Sequence, residues 1–369
     1  MTEPAGEGRP VPAPEAFERS GPDARLAQAA LILAVGAGVA GATRSVERTE
    51  QFPLPPMRRL RRREPMSLEE AAGPLSVDTG AYVRGEVGVI PPEETARAAR
   101  RVYDDPTPEH AAALVEACLH HPDRLIRTAA AASALDTTGP REEVVAVLEQ
   151  SVHARDPSTR DIARVALARV IPQHAALATL VVEPVPERRR SGPSTTAVLT
   201  HGTFAARTRW WRPGGDFYLY LDALTPSLHL HRESFRWSGA YSSAARDLAA
   251  DQLSDWVSAQ QLQRPDLFGH SHGVTVANLA TKRGLTLDRL VMLAWPVHDQ
   301  WLPDLTNVRW VISHRVRMDL VILADRGGQR LPASFTASPK VAEHVAGWFR
   351  HSLPHEPDHW KRNQLDQHL

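Results

Sequence analysis

The sequence predicts an α/β protein, with a mostly parallel sheet in its second half and a small all-α region before it. Three observations carry this. From Thr195 onward, short apolar or β-branched runs alternate with segments of helical period, as parallel strands joined by crossover helices require. One run, Asp266 to Phe268, enters the turn Gly269-His270-Ser271-His272-Gly273 and then a helix opening with Val274, Val276, Ala277 and Ala280. Finally, the region from Pro108 to Pro172 repeats itself at an offset of thirty-three residues.

Composition sets the outer bounds. A chain of 369 residues holds one to three domains and can bury a sizeable core in at least one. Lys+Arg and Asp+Glu both number 43, so no net field draws the chain to nucleic acid. Cys118 is the one cysteine, which excludes an intrachain disulfide and a cysteine metal site and fits a reducing compartment.

In chain order, residues 1–25 hold Pro, Gly and Glu with few large apolar residues and read as a disordered tail. Residues 26–45 read as an apolar helix, because Leu26 to Thr43 is uncharged for eighteen residues, the length at which a membrane span becomes thinkable. Ten of the eighteen are Ala or Gly, which leaves a packed helix as the other reading. If the stretch spans, the arginines that follow, Arg44 to Arg63, would hold the rest of the chain in the cytoplasm, attached to the inner face of the membrane. The same stretch matches Gly36-x-Gly38-x-x-Gly41, but about twenty positions on there is no strand ending in an acid, only FPLPPMRRLRRREP, so no dinucleotide site is expected. Residues 46–104 read as linker.

Within 105–182, Leu114–His120 aligns with Val147–His153, and Asp123, Arg127 and Ala130 align with Asp156, Arg160 and Ala163. Each unit is a helix, a turn and an Ala-rich helix, and the pair resembles a HEAT-like repeat, in which a unit buries its apolar face only against a neighbour. Such a module is either a docking surface for a protein partner or a structural cap. Residues 183–193, rich in turn formers and charge, mark a linker, and 194–369 form the sheet domain. There, Thr196–Thr200, the region Phe217 to Trp237 ending near Ser234–Trp237, Leu287–Ala294, Val308–Val316 and Val341–Phe349 are further strand candidates. Ala245, Leu248, Ala249, Gln252 and Trp256 recur at helical spacing.

The chemistry centres on Ser271. A Gly-x-Ser-x-Gly turn between strand and helix forces the serine into a strained backbone and lifts its hydroxyl clear of the sheet, with glycines leaving room for the crossing. It also aims the N–H of His272 and a helix N-terminus at the place where an oxyanion would form. Upstream, the run Thr196–Thr200 ends in His201-Gly202-Thr203-Phe204, a strand followed by a loop suited to a second donor.

With these two motifs the part from Thr195 to the C-terminus resembles the α/β-hydrolase superfamily, and LTHGTFA resembles the His-Gly loop of its lipase and esterase branches. The resemblance implies a mostly parallel α/β-hydrolase sheet and a triad in the order serine, acid, histidine. The acid is then Asp319, just past the second strand after Ser271, with Asp325 as rival if the true strand were Leu320–Ala324. The base is His351 on the loop after the last strand, with His355 the near competitor and His359 inside the closing helix. The oxyanion would be held by the N–H groups of Thr203 and His272, and Phe204 and His270 would touch substrate. The aromatic loop Phe204 to Tyr220, with Trp210, Trp211, Phe217 and Tyr218, would line an acyl pocket, lie against lipid or form a half-buried surface crossing.

His351, His355 and His359 stand four apart, a spacing that makes a zinc site on one helix face, but Pro354 and Pro357 break any helix through them. No metal and no cofactor are expected. The implied activity is hydrolysis of a small-molecule or lipid carboxylic ester through an acyl-enzyme, with transacylation left open. The alternative is a catalytically silent scaffold of the same fold.

Overall fold

The computed structural model describes Phe17 and residues 21–40, 92–182, 197–224 and 228–369. Residues 46–91 of the expected linker with their basic run, the linker at 183–193 and most of the expected tail lie outside these residues. The chain divides into two compact units. One takes in the chain up to His174 together with Met318–Gly328 and Trp348–Arg350; the other holds Ala175–Arg317, Gln329–Gly347 and His351–Leu369. Met318–Gly328, expected to belong with the sheet, groups instead with the helices.

The first unit is helical: α1 (Pro22–Val39), α2 (Pro92–Asp104), α3 (Pro108–Leu119), α4 (Arg124–Thr137), α5 (Glu142–Ser151) and α6 (Pro157–Val170). The thirty-three-residue offset is visible in the caps. Asp123 accepts from Leu125 N and Ile126 N at the start of α4, and Asp156 accepts from Thr159 N at the start of α6. Proline at the first turn of α3 and α6 fixes φ where no intrahelical N–H is needed. Ala129 to Ala132 of α4 are fully buried, and their small side chains let neighbouring helices approach closely.

The apolar stretch of the sequence is one of those neighbours. α1 packs on α4: Ser133 Oγ donates to the Ile32 carbonyl at 2.9 Å, and Gly36 lies where a Cβ would meet Ser133 Cβ at 2.6 Å. No helix among the described residues is long and apolar enough to cross a membrane. Two sequence expectations are corrected here. Residues 22–25, assigned to the tail, are the first turn of α1, and the end of the supposed linker is the helix α2, whose Ala98, Ala99 and Val102 are buried.

The second unit is built on five strands: β1 (Ala197–Thr200), β2 (Asp266–His270), β3 (Leu287–Leu293), β4 (Val308–Arg317) and β5 (Val341–Trp348). They lie in the order β1-β2-β3-β4-β5, and the ladders β1–β2, β2–β3 and β3–β4 are parallel. Successive residues go to opposite faces, as a strand dictates. Val198, Leu267, Leu290, Met292 and Val311 enter one core with Trp237, Leu253 and Val276. Leu199, Phe268, Val291, Leu293 and Ile312 enter the other with Trp211, Phe217 and Trp360. Burial on both faces is why these runs are nearly continuously apolar.

The expected strand between Phe217 and Trp237 is corrected. Its start is the helix α7 (Asp216–Leu224), in which Phe217 and Leu221, four apart, point inward while Leu219 is 53 % exposed. What remains of a strand is one parallel bridge, Leu230 beside Ala197. The crossover is completed by α8 (Ser243–Ala259), capped by Ser242, which accepts from Ala245 N at 3.1 Å. α9 (His272–Lys282) follows β2, and α10 (Pro357–Asn363) closes the chain. Leu320–Ala324, the strand that would have favoured Asp325, is helical within Leu320–Asp325.

Candidate active site

The chain leaves β1 toward one side of the sheet, where Leu230 pairs with Ala197, and returns to place β2 on the other. In an open parallel sheet, the crevice beyond the carboxyl ends of strands at such a reversal is where ligands bind. Here those ends carry His201-Gly202-Thr203 after β1 and Ser271 after β2.

Ser271 has φ 53° and ψ −133°, a conformation costly for a residue with a Cβ. Serine before a helix ordinarily caps it, yet this hydroxyl makes no capping hydrogen bond. The strain is enforced from both sides. A Cβ on Gly269 would meet Val274 at 3.0 Å, and one on Gly273 would meet the His201 carbonyl oxygen at 2.5 Å. Gly202 sits against the serine itself, since a Cβ there would lie 2.7 Å from Ser271 Cβ. The loop after β1 and the turn after β2 therefore interlock, and only glycines allow it.

The loop after β1 is braced from beneath. His201 is fully buried between the rings of Trp211 and Trp237, at 4.5 and 5.6 Å, and its carbonyl accepts from Trp237 Nε1 at 2.8 Å. Burial pushes its imidazole down to about 4, so the ring is neutral and its Nδ1–H donates to the Gly202 carbonyl at 2.8 Å. Phe204, at φ 57°, donates its N–H to Gly239 O, and Ala205 N donates to Gly202 O. The Thr203 Oγ1 is buried without a hydrogen-bond partner among the described residues.

Three histidines gather in the same unit. His270, the last residue of β2, is 6 % exposed; its ring lies 4.6 Å from both the His351 and His355 rings and 5.5 Å from Trp210. Its Nε2 lies 3.0 Å from the His351 carbonyl oxygen. Burial first, and then the neighbouring His351 and His355, hold His270 well below the usual imidazole range. His355 stacks flat on Trp210 at 4.3 Å, and burial pushes it down to about 3. His272 begins α9, with Nδ1 3.2 Å from Thr275 Oγ1. His359 lies inside α10, as the sequence placed it.

Asp319 and Asp325 belong to the helical unit. Asp319 stands two residues past β4, is fully buried, and caps the next helix by accepting from Val321 N and Ile322 N at 2.9 and 3.1 Å. Asp325 ends that helix. Of the aromatic loop, Trp211, Phe217 and Tyr218 are buried core residues, not the half-buried aromatics of a surface crossing. Trp210 meets the rings of His270 and His355, and Phe217 stands edge-on to His355 at 6.5 Å. Sequence reasoning missed Trp237 and Gly239 as the brace of the His201 loop; a lone glycine two residues after a tryptophan was the available signal. The chain matches no family model, no curated protein and no solved structure.

Proposed function

We propose that this chain is a serine hydrolase of the α/β-hydrolase fold that cleaves carboxylic esters. One observation carries the reading: Ser271 is held in a strained backbone, its hydroxyl does not cap the helix that follows, and the loop after β1 approaches it so closely that a Cβ on Gly202 would lie 2.7 Å from its own. A turn that merely joined strand to helix would relax the serine and use it as a cap. The position of that turn at the reversal of strand order supports the same reading.

In the proposed reaction Ser271 Oγ attacks the acyl carbonyl carbon while the base takes its proton. The N–H groups of Thr203 and His272 receive the oxyanion; His272, first residue of α9, has an N–H that no intrahelical carbonyl can take. The base returns its proton to the leaving alcohol. It then deprotonates a water, which attacks the acyl-enzyme, and that proton passes to Ser271 Oγ as the carboxylic acid leaves. His351 is the base of choice over His355, because a ring pushed down to about 3 is too weak a base at neutral pH. Asp319 is proposed as the acid from its place in chain order after β4. Trp210, edge-on to His270 and stacked on His355, suits an apolar acyl or alkyl group. The paired helices α3 to α6 fit a HEAT-like module, for which we propose a docking role.

The test is labelling of the intact chain with a fluorophosphonate probe and turnover of p-nitrophenyl butyrate. Ser271→Ala is expected to abolish labelling and to lower kcat by about 10⁶-fold, the scale at which a nucleophile acts. An intact, folded chain that takes no label would sink the esterase reading and favour a silent scaffold.

A further inference from the structure

We infer that His270 is a positioning residue of this reaction: its Nε2–H ties the loop carrying His351 to the strand end carrying Ser271. The inference rests on the esterase reading and adds to it a residue that sets the distance between nucleophile and base.

The bond spans 81 residues of chain, from the end of β2 to the carbonyl of His351, at 3.0 Å. A carbonyl oxygen only accepts, so the nitrogen facing it carries the proton. His270 is buried and neutral, and a neutral imidazole has one N–H, so this contact fixes its tautomer. The ring cannot swing away. His351 and His355 close on it at 4.6 Å each, the latter edge to face, and Trp210 stands edge-on at 5.5 Å.

His270 precedes Ser271 directly, and the acceptor belongs to the backbone of the assigned base. A buried histidine that only filled space would satisfy its N–H on a nearby backbone group, as His201 does with Gly202. This one instead joins two segments that the reaction must hold in register. Misplacing a reacting group by about 1 Å costs on the order of 100-fold in rate, so a strut of this kind has a measurable effect.

The experiment compares His270→Gln with His270→Asn in the full chain. A glutamine amide nitrogen reaches the position of the ring Nε2, whereas an asparagine amide stops at the position of Nδ1, short of the carbonyl. With p-nitrophenyl butyrate, the asparagine variant is expected to lose about 10- to 100-fold in kcat at unchanged KM and to label correspondingly slowly with the fluorophosphonate. The glutamine variant should recover most of that loss. Equal behaviour of the two variants, or a loss confined to KM, overturns the inference. So does loss of the native near-UV circular dichroism in either variant, which would make His270 a packing residue. Failure of the intact chain to label at all would instead remove the esterase reading itself.

Discussion

The two units differ in the buried titratable groups that dominate them. In the helical unit the buried charges are compensated in place. Asp136 accepts two hydrogen bonds from Arg169, at 2.7 and 3.0 Å, and is also paired with Arg326. Glu116, 1 % exposed, meets Arg141 at 2.9 Å, although burial outweighs that pairing and raises its carboxyl above the usual range. The sheet unit has such pairs too, Asp266 with Arg289 at 2.6 Å and Glu343 with Arg315 at 3.1 Å, but it adds histidines held neutral: His201, His270, His314 and His355 are all pushed down, chiefly by burial. Compensated ion pairs fix helices against one another at any ordinary pH. Neutral imidazoles leave proton-accepting nitrogens inside the protein, which is the condition that acid–base chemistry needs.

The sharpest way to break that comparison is to remove the shared carboxylate. Asp136→Ala strips Arg169 and Arg326 of a common partner whose side chain, like that of Arg326, is only 9 % exposed. Leaving buried charge uncompensated costs about 3–5 kcal/mol, far more than the pair contributes relative to an apolar substitute. Urea unfolding followed by far-UV circular dichroism should show this loss at pH 6 and pH 8 alike. A loss under about 1 kcal/mol would mean that the arginines reach water and that the unit is not held by compensated charge.

The sheet unit should respond to acid instead. His314 of β4 is fully buried and pushed down to about 3, first by burial and then by His344, His368 and His359. Its ring faces His344 of β5 at 5.6 Å, His368 at 6.1 Å and Trp360 of α10 at 5.2 Å. Because its folded pKa is depressed, its contribution to stability is complete above the unfolded value near 6.5. It is lost as pH falls toward 3, with about 2 kcal/mol gone by pH 5. Neither ring nitrogen has a hydrogen-bond partner among the described residues, so a phenylalanine forfeits no bond. His314→Phe is therefore expected to match or exceed the native stability at pH 7.5 and to flatten its decline toward pH 5. An unchanged acid slope would place the titration elsewhere.

How much of this was legible in the sequence depends on how far apart the interacting residues lie. The strand before Ser271, the helix after it and the strands β3, β4 and β5 could be read to within a few residues, because period and turn chemistry are local signals. The repeat at thirty-three residues was legible for the same reason, down to its capping aspartates. α7 was mistaken for a strand region because apolar aromatic residues crowd both faces of a short helix. Trp210, His270, His351 and His355 were each legible as site candidates, but the contacts among them were not. Nothing along the chain says that residue 210 stacks on residue 355 or that residue 270 bonds to the carbonyl of residue 351. The brace of His201 by Trp237 was hidden in the same way, since each residue taken alone reads as ordinary core.

The Gly36 region offers the smallest and most exacting test of the helical unit. Its Gly-x-Gly-x-x-Gly pattern suggests a phosphate-binding turn, but Gly36 lies inside α1 with Ser133 of α4 pressed against it. Two effects oppose each other in Gly36→Ala. Helix propensity favours alanine by about 1 kcal/mol. The new Cβ, however, would stand 2.6 Å from both Ser133 Cβ and Oγ and 2.9 Å from Ser133 Cα, and relieving such overlap costs about 1–3 kcal/mol. The collision should win by about 1 kcal/mol in urea unfolding, since helix axes must part to relieve a contact with backbone. Ser133→Gly removes two of the three contacts and also the hydrogen bond to Ile32 O, so it destabilises by itself. Combined with Gly36→Ala it should nevertheless be less harmful than the sum of the two, by about 1 kcal/mol of coupling. Strict additivity would mean that α1 and α4 do not meet at this pair, and close approach through small residues would then have to be replaced as the account of how α1 is held.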